Sequence, residues 1–144
     1  MNCSIFLKTV CILVLVVLPG CGGGQMSESQ LRSAQESLEK ASELERNGSH
    51  ADALPLVDAA LTKGGLNPDQ LSEAYLVRSR CYSLSGKPDL AQKDIESAEQ
   101  GSPNPASLSF AKAILLAKQN KPTESKAEFN KAVKIDPKLK MPAL

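Results

Sequence analysis

Apolar residues recur at steps of three and four along most of the chain after residue 26, a spacing that predicts a series of amphipathic helices. The first helix is expected to start at a capping box formed by Ser27 and Gln30 and to end at Asn47-Gly48. Its apolar face carries Leu31, Ala34, Leu38, Ala41 and Leu44.

Five further helices are predicted, each bounded by residues that start or stop a helix. The expected starts are Ser49 with Asp52, Asn67-Pro68, Pro88, Asn104-Pro105 and Pro122. The expected ends are Gly64-Gly65, the residue before Gly86, Gly101 and Asp136-Pro137. Pro55 lies inside the second helix and has no N–H to donate, so either a bend or a late start is expected there. Short turns join these helices into three hairpins, which predicts an all-α fold.

A pattern of eight small, apolar and turn-forming positions occurs twice, 34 residues apart, without an insertion between the copies. The first copy consists of Ser79, Tyr82, Gly86, Pro88, Ala91, Ile95, Ala98 and Pro103, and the second of Ala113, Leu116, Asn120, Pro122, Ser125, Phe129, Ala132 and Pro137. A period of this length is typical of a stacked helical array. A bundle of α-hairpins without a repeat is the alternative.

These residues resemble the tetratricopeptide repeat (TPR), in which small residues on the two helices of a hairpin meet and Pro ends the unit. Ser79 against Ala91 and Ala113 against Ser125 fit this pattern. The resemblance implies three antiparallel helix hairpins stacked as a short TPR-like right-handed α-solenoid. Its domain would span residues 27–138, with repeats at about 34–67, 72–105 and 106–139 and a short tail at 139–144.

The resemblance also implies a concave groove lined by the first helix of each hairpin, where a peptide or helix of another protein binds. The implied groove residues are Gln35, Leu38, Ser42, Glu73, Leu76, Arg80, Phe110, Ile114 and Lys118. Phe110 and Ile114, if exposed, would receive an apolar anchor of the partner. Alternatively, these side chains pack within the stack or against the tail. The basic clamp that some family members use on a C-terminal carboxylate has no match here.

Residues 1–20 have the pattern of an export signal, with Lys8 followed by an apolar run from Thr9 to Leu18. That run is too short for a membrane-spanning helix, which needs about 20 residues. It closes on Leu18-Pro19-Gly20-Cys21, which resembles the leader of a bacterial lipoprotein. The resemblance implies cleavage before Cys21 and lipidation of its sulfur, although Pro19 departs from the usual Ser or Ala. Cleavage as an ordinary secretory signal is the alternative.

Residues 21–26 would then form a lipidated, flexible Gly tether. By the same resemblance, Gly22 in place of Asp directs the protein to the periplasmic face of the outer membrane. Cys81 is the only cysteine that remains for the helical domain, and it is expected to be a small core residue.

The net charge is +1, but the charges are unevenly distributed. Acidic side chains outnumber basic ones between residues 27 and 104, whereas the rest of the chain is rich in lysine. This basic end could bind anionic lipid headgroups, which is an alternative function. The seven residues after Pro137 are too short for a polar capping helix, so the last hairpin is expected to dock on a partner or on a second copy.

No arrangement typical of catalysis occurs in the sequence. His50 is the only histidine and is expected to be a surface turn residue, and phosphate-binding loops and metal-ligand motifs are absent. Lysines without interleaved aromatic residues do not favour nucleic-acid binding. We therefore expect a membrane-anchored scaffold or assembly factor of the cell envelope, with no enzymatic activity and no cofactor.

Overall fold

The computed structural model describes residues 27–143 and contains six α-helices joined by short turns. They are α1 (Glu28–Arg46), α2 (His50–Lys63), α3 (Pro68–Leu84), α4 (Pro88–Glu99), α5 (Pro105–Lys118) and α6 (Pro122–Ile135). No strand occurs in this part of the chain, which confirms the predicted all-α fold. The export signal, Cys21 and the tether lie outside the described residues. Between residues 27 and 143, no helix is long and apolar enough to cross a membrane.

The helix starts follow the local capping chemistry that the sequence predicts. Capping boxes form at Ser27 with Gln30 and at Asn67 with Gln70, where the backbone N–H of Gln70 donates to the Asn67 side chain over 2.8 Å. The Asn104 side chain accepts from the backbone N–H groups of the next turn. Each of α3 to α6 begins with proline, which needs no N–H partner in the first turn. These predictions are confirmed.

The start of α2 differs from the expectation. Ser49 precedes the helix but makes no side-chain capping hydrogen bond, and the helix begins at His50 and continues through Pro55. A late start after Pro55 is therefore wrong. Pro55 deprives the Ala51 carbonyl of its helical donor, but both residues are exposed, so water can bond this carbonyl. The opposite face buries Ala53, Val57 and Ala60 and holds the helix in place.

The helices pair as three antiparallel hairpins, α1 with α2, α3 with α4 and α5 with α6, stacked as a short TPR-like right-handed α-solenoid. The middle hairpin joins the other two, because α3 packs against α1, α2, α4 and α5. Alanines with no exposed surface allow the helices to approach closely, among them Ala41, Ala60, Ala74, Ala91, Ala98 and Ala111. Larger side chains such as Val57, Leu76 and Ile95 fill the space beside them.

The residues after α6 turn back onto the third hairpin. Asp136 ends the helix, and its carboxylate accepts the backbone N–H of Lys138 over 3.0 Å. Beyond this turn, Leu139 and Met141 pack against a core cluster that contains Phe110, Ile114 and Ala132. The protein's own tail therefore covers part of the apolar face of the last hairpin, which was expected to remain exposed because no capping helix follows it.

Candidate partner-binding groove

An open cleft of about 710 Å³ runs between α1 and α3 and is bounded by the loop before α5. We call it the groove. Its lining consists of Gln35, Leu38, Glu39, Ser42, Arg46, Asp69, Gln70, Glu73 and residues 102–105. The groove lies where the first helices of two neighbouring hairpins face each other, which is the surface that the repeat pattern assigns to partner binding.

Four residues predicted from the sequence meet in this groove. Gln35, Leu38 and Ser42 come from successive turns of α1, and Glu73 comes from α3. The Gln35 amide donates to the Gln70 side chain over 3.4 Å, which joins the two walls. The Ser42 hydroxyl donates to the Leu38 carbonyl and keeps its lone pairs for other groups. Most of the residues that line the groove are therefore polar, although Leu38, Pro103 and Pro105 also give it apolar surface. That these residues bind a partner stays a prediction.

The groove carries more negative than positive side chains. Glu39, Asp69 and Glu73 line it, whereas Arg46 is the one cation among its lining residues. Glu39 and Asp69 are exposed and Glu73 is partly exposed, so water and a ligand can reach all three carboxylates. A partner segment with basic side chains would meet favourable charges here.

Arg80 lies beneath the groove and ties the three hairpins together. Its Nε and Nη2 donate to the two carboxylate oxygens of Glu45 on α1, each over 3.1 Å. The guanidinium also donates to Glu73 over 3.3 Å and to the Ser107 hydroxyl on α5 over 3.0 Å. Burial alone would lower the pKa of Arg80, but the carboxylates of Glu45 and Glu73 raise it above its ordinary value, so the side chain stays charged.

The prediction that Arg80 is accessible in the groove is wrong, because the side chain is buried and its donors are bonded to Glu45, Glu73 and Ser107. Only 6% of its side chain is exposed. The sequence could not show this, since Glu45 lies 35 residues earlier and Ser107 lies 27 residues later. Arg80 serves as a structural link between the repeats.

The predicted apolar part of the groove is also buried. Leu76 and Ile114 have no exposed surface, and Phe110 is 9% exposed. Leu76 packs into the cluster between the second and third hairpins, where Ile95 and Leu115 lie. Phe110 and Ile114 pack with Phe129, Leu139 and Met141. The alternative, packing within the stack and against the tail, is therefore correct for these side chains.

Lys118 is exposed at the last turn of α5, but it does not line the groove. Six further lysines are also exposed on the third hairpin and tail, which together form a basic surface. They are Lys121, Lys126, Lys131, Lys134, Lys138 and Lys140.

A second arginine that links helices, Arg78, is partly buried and could not be recognised from the sequence. Arg78 donates through Nε and Nη2 to Asp94 on α4 over 2.8 and 2.7 Å, and through Nη1 to Asp58 on α2 over 2.7 Å. The hydrogen bonds to Asp94, followed by the hydrogen bond to Asp58, raise the pKa of Arg78 above its ordinary value, although burial alone would lower it. Its guanidinium also lies 5.6 Å from the ring centre of Tyr75. Arg78 thus joins α2, α3 and α4.

Groups suited to catalysis do not converge in the groove. Across residues 27–143, no three His, Cys, Asp or Glu side chains could hold a metal ion together. Cys81 has no exposed surface, and burial raises the pKa of its thiol to about 12, with a further contribution from the Glu45 carboxylate. It is a core residue, as predicted. His50 is the first residue of α2 and is half-buried.

Comparison with known proteins agrees with the repeat pattern. Residues 106–139 match the tetratricopeptide repeat family, and this range is the third repeat that the 34-residue period predicts. No curated protein and no solved structure matches the chain. The chain therefore contains a tetratricopeptide repeat in the hairpin of α5 and α6. Such repeats typically bind other proteins or peptides and are generally not enzymes, so the fold indicates a protein-interaction module.

Proposed function

We propose that the protein is a lipid-anchored scaffold or assembly factor of the cell envelope, which holds a segment of another protein in its groove. The observation that carries the proposal is the open cleft between α1 and α3 in a fold of stacked repeats. Its three carboxylates, against one arginine, suit a segment with basic side chains. The rigid stack would hold such a segment at a fixed place relative to the anchor.

Site-specific photocrosslinking in cells tests the groove. A photoreactive residue at Gln35 or Ser42 should form the same covalent adduct, because both side chains line the groove. The control position is Gln92, which is exposed on α4 and does not line the groove. Identical adducts from all three positions, or none from Gln35 and Ser42, would contradict the proposal.

The anchor is supported by Leu18-Pro19-Gly20-Cys21, which resembles the cleavage and lipidation site of a lipoprotein. Because several acyl chains hold a protein on a membrane stably, the protein should fractionate with membranes, and on this proposal with the outer membrane. Cys21→Ser should release it, whereas Cys11→Ser, within the same leader, should leave it bound. Membrane association of the Cys21→Ser variant would overturn this part of the proposal.

The basic surface favours a second candidate function, binding of anionic lipid headgroups. All seven of its lysines are exposed, and each of them except Lys131, which is paired with Glu128, could contribute about 1 kcal/mol near an anionic membrane. Replacing Lys126, Lys131 and Lys134 by Gln should weaken binding to vesicles of anionic phospholipid at low salt. The matched control replaces three exposed lysines of the first two hairpins, Lys40, Lys87 and Lys93. Equal effects of both sets would exclude a dedicated surface.

A further inference from the structure

The tail after α6 packs on an apolar surface of the third hairpin, and its contacts indicate what kind of segment this surface can bind. We define the tail seat as the buried apolar cluster of Phe110, Ile114 and Ala132, together with Leu84 and Phe129 beside it; Leu139 and Met141 of the tail pack against this cluster. Phe110 and Phe129 lie with their ring centres 6.1 Å apart and form the aromatic part of the seat. The seat is therefore built from α3, α5 and α6 and does not depend on the tail for its walls.

The tail lies on the seat in an alternating pattern. Leu139 and Met141 are partly buried, whereas Lys138 and Lys140 are exposed. Residues 139–143 form no helix or strand. An extended segment directs alternate side chains to opposite sides, so two apolar side chains two residues apart can contact the seat while the lysines stay in water.

Few polar contacts hold the tail on the seat. The turn at Asp136 fixes Lys138 and Leu139 through two backbone donors, over 3.0 and 3.3 Å. Within the described chain, residues 140–143 make no hydrogen bond to any other residue. Beyond Leu139, the tail is thus attached to the seat by apolar contacts alone. Another segment of similar shape could make the same contacts.

The repeat register shows which place the tail occupies. A shift of 34 residues relates Met141 to Ser107 and Ile114 to Arg80. At the preceding interface, the Ser107 hydroxyl contacts Arg80 and Glu73. On the third hairpin, Met141 packs against the cluster that contains Ile114. The tail thus takes the place that the beginning of α5 takes on the second hairpin, with apolar contacts replacing polar ones.

We propose that the tail seat is a peptide-binding site, which the protein's own tail fills until a segment of a partner protein displaces it. The segment that fits is extended and carries two large apolar side chains two residues apart, as Leu139 and Met141 are, with a side chain that faces water between them. This inference rests on the proposed partner-binding function and names a second place on the stack where the partner binds. The tail then acts as a competitive cover.

The test weakens the packing of the tail without changing any residue of the tail seat. The double variant Leu139→Ser and Met141→Ser is compared with the unaltered protein for binding of a fluorescent peptide with the sequence of residues 138–144. A tethered competitor acts at an effective concentration in the millimolar range. We therefore expect the double variant to bind the peptide at least about tenfold more tightly than the unaltered protein does. A peptide with Ser at both apolar positions should not bind.

The matched control variant is Lys138→Ser with Lys140→Ser, which retains both apolar side chains and should behave as the unaltered protein. Equal peptide binding by the double variant and the unaltered protein, with helical content preserved in circular dichroism, would overturn the proposal. If the double variant does not fold, Met141→Ala provides the second measurement. A folded Met141→Ala variant that binds no more tightly than the unaltered protein would overturn the proposal equally.

Two further outcomes distinguish this proposal from self-association through the tail and from partner binding in the groove. If the unaltered protein dimerises with rising concentration and the double variant does not, the occupant is the tail of a second copy, and displacement by a partner protein is overturned. Peptide binding measured with purified protein is also independent of crosslinking in cells. Peptide binding without groove adducts would support the seat and contradict the proposed use of the groove.

Discussion

Arg80 shows how a polar side chain can hold an apolar repeat stack together. Its guanidinium is paired with Glu45 and Glu73 in a nearly water-free position between α1, α3 and α5. Burying such charges costs free energy of desolvation, which is offset only while every donor has its acceptor. The arrangement therefore specifies the register of the three hairpins more than it adds to stability.

Removing one member of this network should be costly. We expect Glu45→Ala to lower the free energy of unfolding by about 3 kcal/mol, because it leaves the buried Arg80 without its main partner. Urea denaturation monitored by circular dichroism measures this change. The control is Glu28→Ala, which removes an exposed pair with Arg32 and should leave the stability nearly unchanged. Similar losses for both variants would contradict the structural role of Arg80.

Cys81 should be chemically silent in the folded protein. The thiolate is the reactive form, and burial raises the pKa of this thiol to about 12, so at pH 8 only about one molecule in ten thousand is ionised. We expect iodoacetamide at pH 8 to leave Cys81 unmodified in the native protein and to modify it after unfolding in urea. Mass spectrometry of the peptide that contains Cys81 gives the readout. Rapid modification of the folded protein would contradict the buried placement.

At the scale of the elements, the close approach between the start of α3 and the end of α4 depends on a glycine. A Cβ atom at Gly101 would lie 2.3 Å from the Ser72 hydroxyl oxygen. That hydroxyl donates to the Pro68 carbonyl over 3.0 Å and accepts the backbone N–H of Ser102 over 3.1 Å. Ser72 is buried, so it cannot move aside without breaking both hydrogen bonds.

We therefore expect Gly101→Ala to lower the free energy of unfolding by about 2 kcal/mol, through overpacking and lost hydrogen bonds. Ser72→Ala removes the oxygen that the new methyl group would meet. In the double variant, Ser72→Ala should thus recover part of the loss, and a double-mutant cycle of thermal unfolding measures this coupling. Strict additivity of the two changes would show that the Cβ atom does not collide with Ser72.

The helices could be predicted from the sequence because their ends are set by local chemistry. Asn67 caps α3 through residues only three positions away, and Asn104 caps α5 within its first turn. The resemblance to the tetratricopeptide repeat likewise assigned Gln35 and Glu73 to the same side of the stack, where they meet in the groove. Such patterns depend on neighbours within one turn or one repeat.

Exposure along that same side could not be predicted in this way. Phe110 and Ile114 occupy the positions that the repeat assigns to the groove, but whether they are exposed depends on what packs over them. The tail that covers them contributes only two apolar residues, Leu139 and Met141. An alternation this short carries no clear signal in the sequence. The burial of Arg80 could not be predicted for a similar reason, since Glu45 and Ser107, two of its partners, come from two other hairpins.

At the scale of the whole molecule, the two ends of the stack differ in charge and in what they expose. The groove between the first two hairpins carries three carboxylates and one arginine, whereas the third hairpin and the tail carry seven exposed lysines. A partner with basic segments is favoured at one end and an anionic surface at the other. The two proposed binding surfaces share no residue, so binding at one would leave the other accessible.

The stack should also be unequal in local stability. In a linear array, each repeat is stabilised mainly by its neighbours, so the middle repeat has two stabilising interfaces and each outer repeat has one within the described chain. Here α3 packs against four other helices and buries Leu76, Val77 and Cys81 completely. We expect amide hydrogens of α3 to exchange most slowly, and those of the first turns of α1 and the last turn of α6 to exchange fastest.

Hydrogen exchange followed by mass spectrometry of peptic fragments measures this order. Because Glu45 on α1 is paired with Arg80, Glu45→Ala should speed exchange in α1 more than in α6, which does not contact this pair. The last turn of α6 should instead respond to Met141→Ser, which loosens the tail packed over the third hairpin. If all six helices exchanged at one common rate in every variant, the stack would unfold as a single unit, and the separate contributions assigned to its interfaces would be wrong.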